Sequence, residues 1–236
     1  MEETTSTNEL AADALKNARV IEGAVFRASN QTQGKGQRGR VWNSLPNQNV
    51  LASYVYFPSF LKSDEQFYLI KAVSLALKDL LDKYLMDKAK IKWPNDIYIN
   101  DLKIAGILIE STMKGSYMGS SIIGIGLNVN QSEFPSVVNA TSVVLETGKG
   151  CDLNMFFSEL SYHLERRYLM LRENPKSLDS AYENALYRKD VSSTYKIDGQ
   201  TADRITRGVD NLGQLILEDE NGELNAYGMH QVRMQL

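Results

Sequence analysis

Lys92-Trp93-Pro94-Asn95-Asp96-Ile97, followed after a short turn by Leu102-Lys103-Ile104-Ala105-Gly106-Ile107-Leu108, sets two lysines, an amide, a carboxylate and a glycine on adjoining extended segments. Ile91, Trp93, Ile97, Ile99, Ile104, Ile107 and Ile109 are β-branched or aromatic, which predicts strands, with Asn100-Asp101 as the hairpin turn between them. A sheet with this much apolar material can hold a few convergent polar groups rigidly. Lys103 is the candidate for chemistry: it opens an apolar run, close in sequence to a backbone kink that Gly106 permits, where a cation could reach a carboxylate and a phosphate together. A strand-end lysine that snorkels to water is the plainer reading of the same residue.

Upstream, Gln31 to Trp42 interleaves Gly34, Gly36 and Gly39 with Lys35, Arg38 and Arg40, just after the strand-like Ala24-Val25-Phe26. Glycines let a backbone approach a ligand, and the cations favour an anion there. The spacing matches neither a Walker loop nor the dinucleotide-binding G-x-G-x-x-G. A solvated basic loop or an RNA-binding patch is the competing interpretation. The chain as a whole is slightly acidic, with formal charge -3 and pI near 5.5, which argues against a nucleic-acid footprint.

Taken together the two segments resemble a family. Gly34-Lys35-Gly36-Gln37-Arg38-Gly39-Arg40 is similar to the G-R-G-R-x-G-R loop of biotin protein ligases, and Lys92 to Asp96 with Lys103 to Gly106 is similar to their K-W-P-N-D and K-x-x-G block. Ser6-Thr7-Asn8, Gly124 to Asn130 and Ala140-Thr141-Ser142 fall in the same order, so the resemblance covers essentially the whole chain. It implies an enzyme that joins biotin to ATP as biotinyl-5'-AMP and passes the acyl group to a lysine of a biotin carboxyl carrier protein, a subunit or domain of a biotin-dependent carboxylase.

The resemblance also assigns roles. Lys103, Arg38 and Arg40 would be catalytic, bringing positive charge to two anions that must meet. Ser6, Thr7, Asn8, Gln31, Gly34, Lys35, Gly36, Gln37, Lys103, Gly106 and Gly124 would surround biotin, a compact bicycle with a polar ureido end and an apolar tail. Arg38, Arg40, Trp42, Lys92, Asn95, Asp96, Lys103 and Asn128 would serve ATP, with Asp96 the candidate for supporting Mg²⁺. Read without the family, Ser6-Thr7-Asn8 is a helix cap before Glu9-Leu10-Ala11-Ala12, and Asn128 a turn former. The loop departs from the family where arginine is replaced by Lys35 and by Gln37, which predicts looser retention of the activated intermediate. A lipoate or octanoate ligase or transferase is the other enzymatic reading, and a biotin-binding sensor the non-enzymatic one.

The expected fold class is α+β: a class II synthetase-like mixed sheet flanked by helices over residues 1–187, then a small SH3-like β-barrel over 188–236. Ser63-Asp64-Glu65-Gln66 has a capping-box form ahead of a helix through Phe67, Ile70, Val73, Leu77, Leu80, Leu81 and Tyr84. A strand is expected from Tyr117 to Ile125, a helix capped by Asp152 running to about Arg172, and a helix from Leu178 to Tyr187. Turns at Asp198-Gly199, Asn211-Leu212-Gly213 and Asn221-Gly222 punctuate the barrel, with His230 on its surface. The 236 residues, 43% hydrophobic and 23% charged, suffice for one large core and a small satellite. There is no apolar run of membrane-spanning length and the start is not signal-like, and the lone Cys151 excludes an intrachain disulfide, so a cytoplasmic enzyme is expected. The catalytic motif begins within ten residues of Met1, which predicts a ligase without the DNA-binding domain of repressor-type relatives. Beyond ATP, no nucleic acid and no membrane are expected as partners; a homodimer through an exposed strand edge is compatible with the pattern.

Overall fold

The computed structural model describes residues 1–17, 20–135 and 138–235. Its strands are β1 (Glu3–Thr4), β2 (Val25–Ala28), β3 (Asn30–Gln31), β4 (Asn49–Tyr56), β5 (Ala89–Lys92), β6 (Asp96–Ile99), β7 (Leu102–Lys114), β8 (Tyr117–Asn128), β9 (Ser192–Ile197), β10 (Gln200–Val209), β11 (Leu215–Glu218), β12 (Leu224–Tyr227) and β13 (Val232–Met234). The helices are α1 (Thr7–Asn17), α2 (Phe67–Leu85), α3 (Val143–Thr147), α4 (Leu153–Glu173) and α5 (Asp179–Asn184). Six strands form the main sheet in the order β2-β4-β8-β7-β6-β5, every ladder antiparallel. Among the described residues, parallel pairing is confined to β1 with β3 and to isolated bridges such as Ile91 with Leu186 and Lys103 with Ala140.

One face of this sheet makes the core. Val50, Ala52, Tyr54 and Tyr56 of β4, with Ile123, Ile125 and Leu127 of β8, pack against Leu69, Val73, Ala76, Leu77 and Leu80 of α2 and Phe156, Leu160 and Leu164 of α4. Their alternation along each strand is the period of two expected of a half-buried sheet. Replacing a fully buried member such as Leu77 by alanine would cost about 2–5 kcal/mol. The opposite face carries α1 through a smaller cluster of Ala11, Val55 and Ile122, leaving the central strands open for polar groups.

The helix boundaries follow local chemistry. Asp152 caps α4 by accepting from the Asn154 amide, as its position suggests. Ser63 does not cap α2: its amide donates to Ser116, while Glu65 accepts from the Lys62 amide one position earlier. The helix expected from Leu178 to Tyr187 stops at Asn184, after a 3₁₀ turn over Pro175–Leu178. Ala185 and Tyr187 instead bond to Ile91, so the chain leaves the helix to extend the sheet edge at β5.

Residues 192–234 form a second, five-stranded sheet in the order β12-β11-β10-β9-β13. Two of its hairpins share one design. Asp210 accepts from the Leu212 and Gln214 amides with Gly213 at φ +82°, and Asp219 accepts from Asn221 and Glu223 with Gly222 at φ +82°. Asn221-Gly222 is therefore part of a longer aspartate-nucleated turn and not a two-residue hairpin. The Asp210–Gly213 turn leans on the larger sheet's layer: Gly213 packs so tightly on Phe67 that an added Cβ would lie 2.3 Å from its ring, and its carbonyl accepts from Trp93 Nε1 at 3.0 Å.

Candidate active site

The open face of the sheet is built in rows. Across the strands, Leu51, Gly126, Gly106 and Asp96 are successive register partners, and Ser53, Gly124 and Leu108 form the next row. The glycines remove side chains where others lie flat. The Trp42 indole rests on Gly126, 2.3 Å from where a Cβ would be, and Asn8 Oδ1 sits 2.2 Å from the same position on Gly124. Above these rows is a cavity lined by Ser6, Thr7, Asn8, Gln31, Lys35, Gly36, Gln37, Trp42, Asn95, Asp96, Lys103, Gly106 and Gly124. It gathers ten of the eleven residues that the family resemblance placed around biotin. Gly34 is the exception: it is buried where the loop closes, its missing side chain making room for the Trp42 carbonyl.

The cavity floor is a chain of uncharged polar groups. Thr7 donates its amide and its hydroxyl to Gln31 Oε1 at 2.7 and 3.0 Å; Ser53 Oγ lies 2.8 Å from Thr7 Oγ1 and 2.6 Å from Asn8 Oδ1. Ser6 precedes α1, yet its hydroxyl does not cap it: Oγ is buried without a partner among the described residues. A short row of hydroxyls and amides, with one hydroxyl unused, suits a neutral group that both donates and accepts. At the rim, Lys35 is tied to Glu9 at 2.7 Å. The hydrogen bond between them lowers the Glu9 pKa and raises that of Lys35.

Lys103 follows the Asn100-Asp101 turn, at an irregularity in the β6–β7 register that places it opposite Tyr98. Its backbone is clamped by Asn139 and Thr141 at 3.0 and 2.9 Å. Its Nζ lies 2.6 Å from Asp96 Oδ1 and 5.4 Å from the centre of the Trp42 ring.

A second recess shares Gln37, Asn95 and Asp96 with the first and opens toward the smaller sheet. Arg38, Arg40, Lys92, Trp93, Tyr187, Met229 and Arg233 line it. Lys92 is held over the Tyr98 ring at 5.2 Å, and its desolvation lowers its pKa, opposed by Asp96 and assisted by Lys103, Arg233 and Arg40. This concentration of cations suits a polyanion. The glycine loop that supplies two of them is not an open cradle: Gly36 donates to Arg40, Arg40 to Gln37 and Trp42 to Gly34. Arg38, at φ +56°, donates to the Met229 carbonyl of the smaller sheet.

Several residues stand differently from the sequence reading. Trp42 belongs to the first cavity and not to the cationic recess. Asn128 lines neither: its amide nitrogen donates to the Thr141 carbonyl at 3.0 Å, and its Oδ1 is buried without a partner among the described residues. Asn95 donates to the Ile107 carbonyl and extends the sheet, so its first role is to hold the site's frame. Asp96 is engaged by Lys103, and no group of three or more His, Cys, Asp or Glu side chains that could hold a metal ion occurs among the described residues. Arg233, Ser53 and Glu110 were missed. Ser53 could have been found, as the lone serine in the otherwise apolar and aromatic strand Val50-Leu51-Ala52-Ser53-Tyr54-Val55; Arg233 lies in a closing segment with little pattern of its own.

With this geometry in place, comparisons agree on its kind. The model of the biotin/lipoate A/B protein ligase family matches residues 1–128, and the chain belongs to that family. It is 30% identical over 225 residues to the bifunctional ligase/repressor BirA of Salmonella typhimurium, covering 91% of this chain and 67% of that protein. It is also 30% identical over 224 residues to the biotin–[acetyl-CoA-carboxylase] ligase of Mycobacterium tuberculosis, covering 92% and 81%. The chain spans only about half the length of some other bifunctional relatives. In structure it is similar to the biotin protein ligase of Aquifex aeolicus in complex with biotin and ATP, with TM-score 0.84, 23% identity, and coverage of 100% and 97% of the two chains, which establishes the shared fold.

Proposed function

We propose that this chain is an ATP-dependent biotin protein ligase. The observation that carries the reading is Lys103 in the cavity with the neutral polar floor, bound to Asp96, a residue that also lines the cationic recess. Biotin's ureido group fits the Ser6, Thr7, Asn8 and Gln31 floor, and its carboxylate then points toward Lys103. ATP fits the recess of Arg38, Arg40, Lys92 and Arg233, its α-phosphate toward the same lysine. A carboxylate oxygen attacks the α-phosphorus, pyrophosphate leaves, and biotinyl-5'-AMP results; the ε-amine of the acceptor lysine then attacks the acyl carbon and AMP leaves. Lys103 screens the two anions as they approach and stabilises charge as each leaving group departs. Mg²⁺ is taken to arrive on the ATP phosphates, with Asp96 at most a supporting contact.

The acceptor is a biotin carboxyl carrier protein of a biotin-dependent carboxylase. Among the described residues, β7 from Ile109 to Lys114 pairs only with β8, so one strand edge is open to an acceptor hairpin or to a second copy of the chain. We assign residues 1–187 to biotin and ATP chemistry and 188–236 to completing the nucleotide recess. The test is ATP-dependent labelling of a carrier domain with biotin, with a lipoyl domain as control, since the family's description includes lipoate ligases.

A further inference from the structure

Glu110 takes no part in the roles assigned above and does not line the cavity, yet it anchors the end of the polar row that makes the cavity floor. It follows Gly106 and Leu108 on the site face of β7, and its Oε2 accepts from Asn8 Nδ2 at 2.6 Å. Four contacts then run from it: Asn8 Oδ1 to Ser53 Oγ, Ser53 Oγ to Thr7 Oγ1, and Thr7 Oγ1 and amide to Gln31 Oε1. The three oxygen–oxygen contacts among these residues have only two hydroxyl protons to share, one on Ser53 and one on Thr7. Gln31 is fixed as an acceptor by the Thr7 amide. Asn8 is fixed as an acceptor by Glu110, because turning its amide would set Oδ1 against a carboxylate. Were Asn8 free to turn, its amide nitrogen would supply the missing proton to Ser53 and the row would be complete within the protein.

We infer that Glu110 is a positioning residue that sets ligand specificity: by locking the Asn8 amide it keeps the cavity floor one hydrogen-bond donor short, so the site favours a ligand that brings its own N–H. This rests on the ligase reading and deepens it. A ureido ring carries such N–H groups; the dithiolane of lipoate and the alkyl end of octanoate carry none. The specificity therefore arises from a carboxylate that does not touch the ligand and lies on an exposed part of β7.

The experiment is calorimetric titration of biotin and of lipoate into the wild-type chain, Glu110→Ala and Glu110→Gln, with steady-state kinetics and melting temperatures for each. Glutamine can still accept from Asn8 Nδ2 through its carbonyl oxygen, and alanine cannot. The expected result is a biotin Kd and KM about tenfold higher in Glu110→Ala, with kcat and the KM for ATP within about twofold, lipoate binding unchanged, and recovery in Glu110→Gln. Glu110→Ser, too short to reach Asn8, replaces Glu110→Ala should that variant fail to fold. Wild-type biotin affinity in the truncated variants, or equal losses in the truncated and glutamine variants, would overturn the inference. Failure of the wild-type chain to bind biotin would instead overturn the ligase reading on which it stands.

Discussion

Lys103 Nζ and Asp96 Oδ1 lie 2.6 Å apart, on register-neighbouring strands, with the Trp42 ring beneath the ammonium. The lysine is thus held between its carboxylate and an aromatic face before any anion arrives, and its backbone is fixed by Asn139 and Thr141. Preorganised charge of this kind acts mainly on the reacting state. Lys103→Ala is expected to lower the rate of biotinyl-AMP formation by about 10²–10³-fold. Biotin affinity should change by less than about threefold, because the cavity floor that holds the ureido group is intact. Single-turnover formation of the adenylate, set against calorimetric titration of biotin, separates the two quantities.

Burial works against the charge of Lys92. Its pKa is lowered in the fold, first by desolvation, so the unfolded chain binds its proton more readily. Below the lowered pKa both states are charged and the cost of burying the ammonium is fully present. As pH rises through that value toward the ordinary 10.5, the folded state releases the proton first and the cost disappears. Lys92→Met should therefore be more stable than the wild-type chain at pH 7, with the difference shrinking as pH approaches 10.5, while its affinity for ATP falls. Denaturant titrations across that range check the sign; an advantage that grows with pH would contradict the assignment.

Gln37 lines both recesses, at the boundary the acyl-adenylate would straddle. The side chain is uncharged, so it brings no positive charge of its own to the phosphate, as an arginine would. In the absence of acceptor, the wild-type chain is expected to release biotinyl-AMP faster than Gln37→Arg. Equal release rates in a trap assay would remove the residue from the account.

The two sheets communicate through Trp93, whose Nε1 donates to the Gly213 carbonyl, and through Arg38, which donates to Met229. Gly213→Ala must relieve a Cβ placed 2.3 Å from the Phe67 ring as well as an unfavourable φ of +82°. A loss of about 2–3 kcal/mol is expected, with a raised KM for ATP and an unchanged biotin Kd. Arg233→Ala should show the same split in binding, raising the KM for ATP about tenfold or more, without the loss of stability.

What could be seen in the sequence depended on the range of the interaction. Alternation of Ile97, Ile99 and Ile107 and the Asp152 cap are local, and they led directly to strands and to α4. Lys103 stood out as a cation opening an apolar run and Arg40 as one of three cations interleaved with glycines, whereas Ser6-Thr7-Asn8 was marked by the family resemblance and otherwise reads as a helix cap. The end of α5 was hidden, because it is decided by pairing of Ala185 and Tyr187 with Ile91, far away in the chain. Trp42 reads as a loop residue until Gly126 and Gly106 are placed beneath it. Glu110 reads as an ordinary exposed strand residue, since only the fold brings Asn8 to it across the sheet.

The ligase activity is tested by transfer of labelled biotin to a biotin carboxyl carrier domain in the presence of Mg·ATP, with Lys103→Ala and a lipoyl domain run in parallel. Labelling of the carrier lysine alone is expected, dependent on ATP and slowed by about 10²–10³-fold in Lys103→Ala. Biotin binding without transfer, or preferential modification of the lipoyl domain, would contradict it.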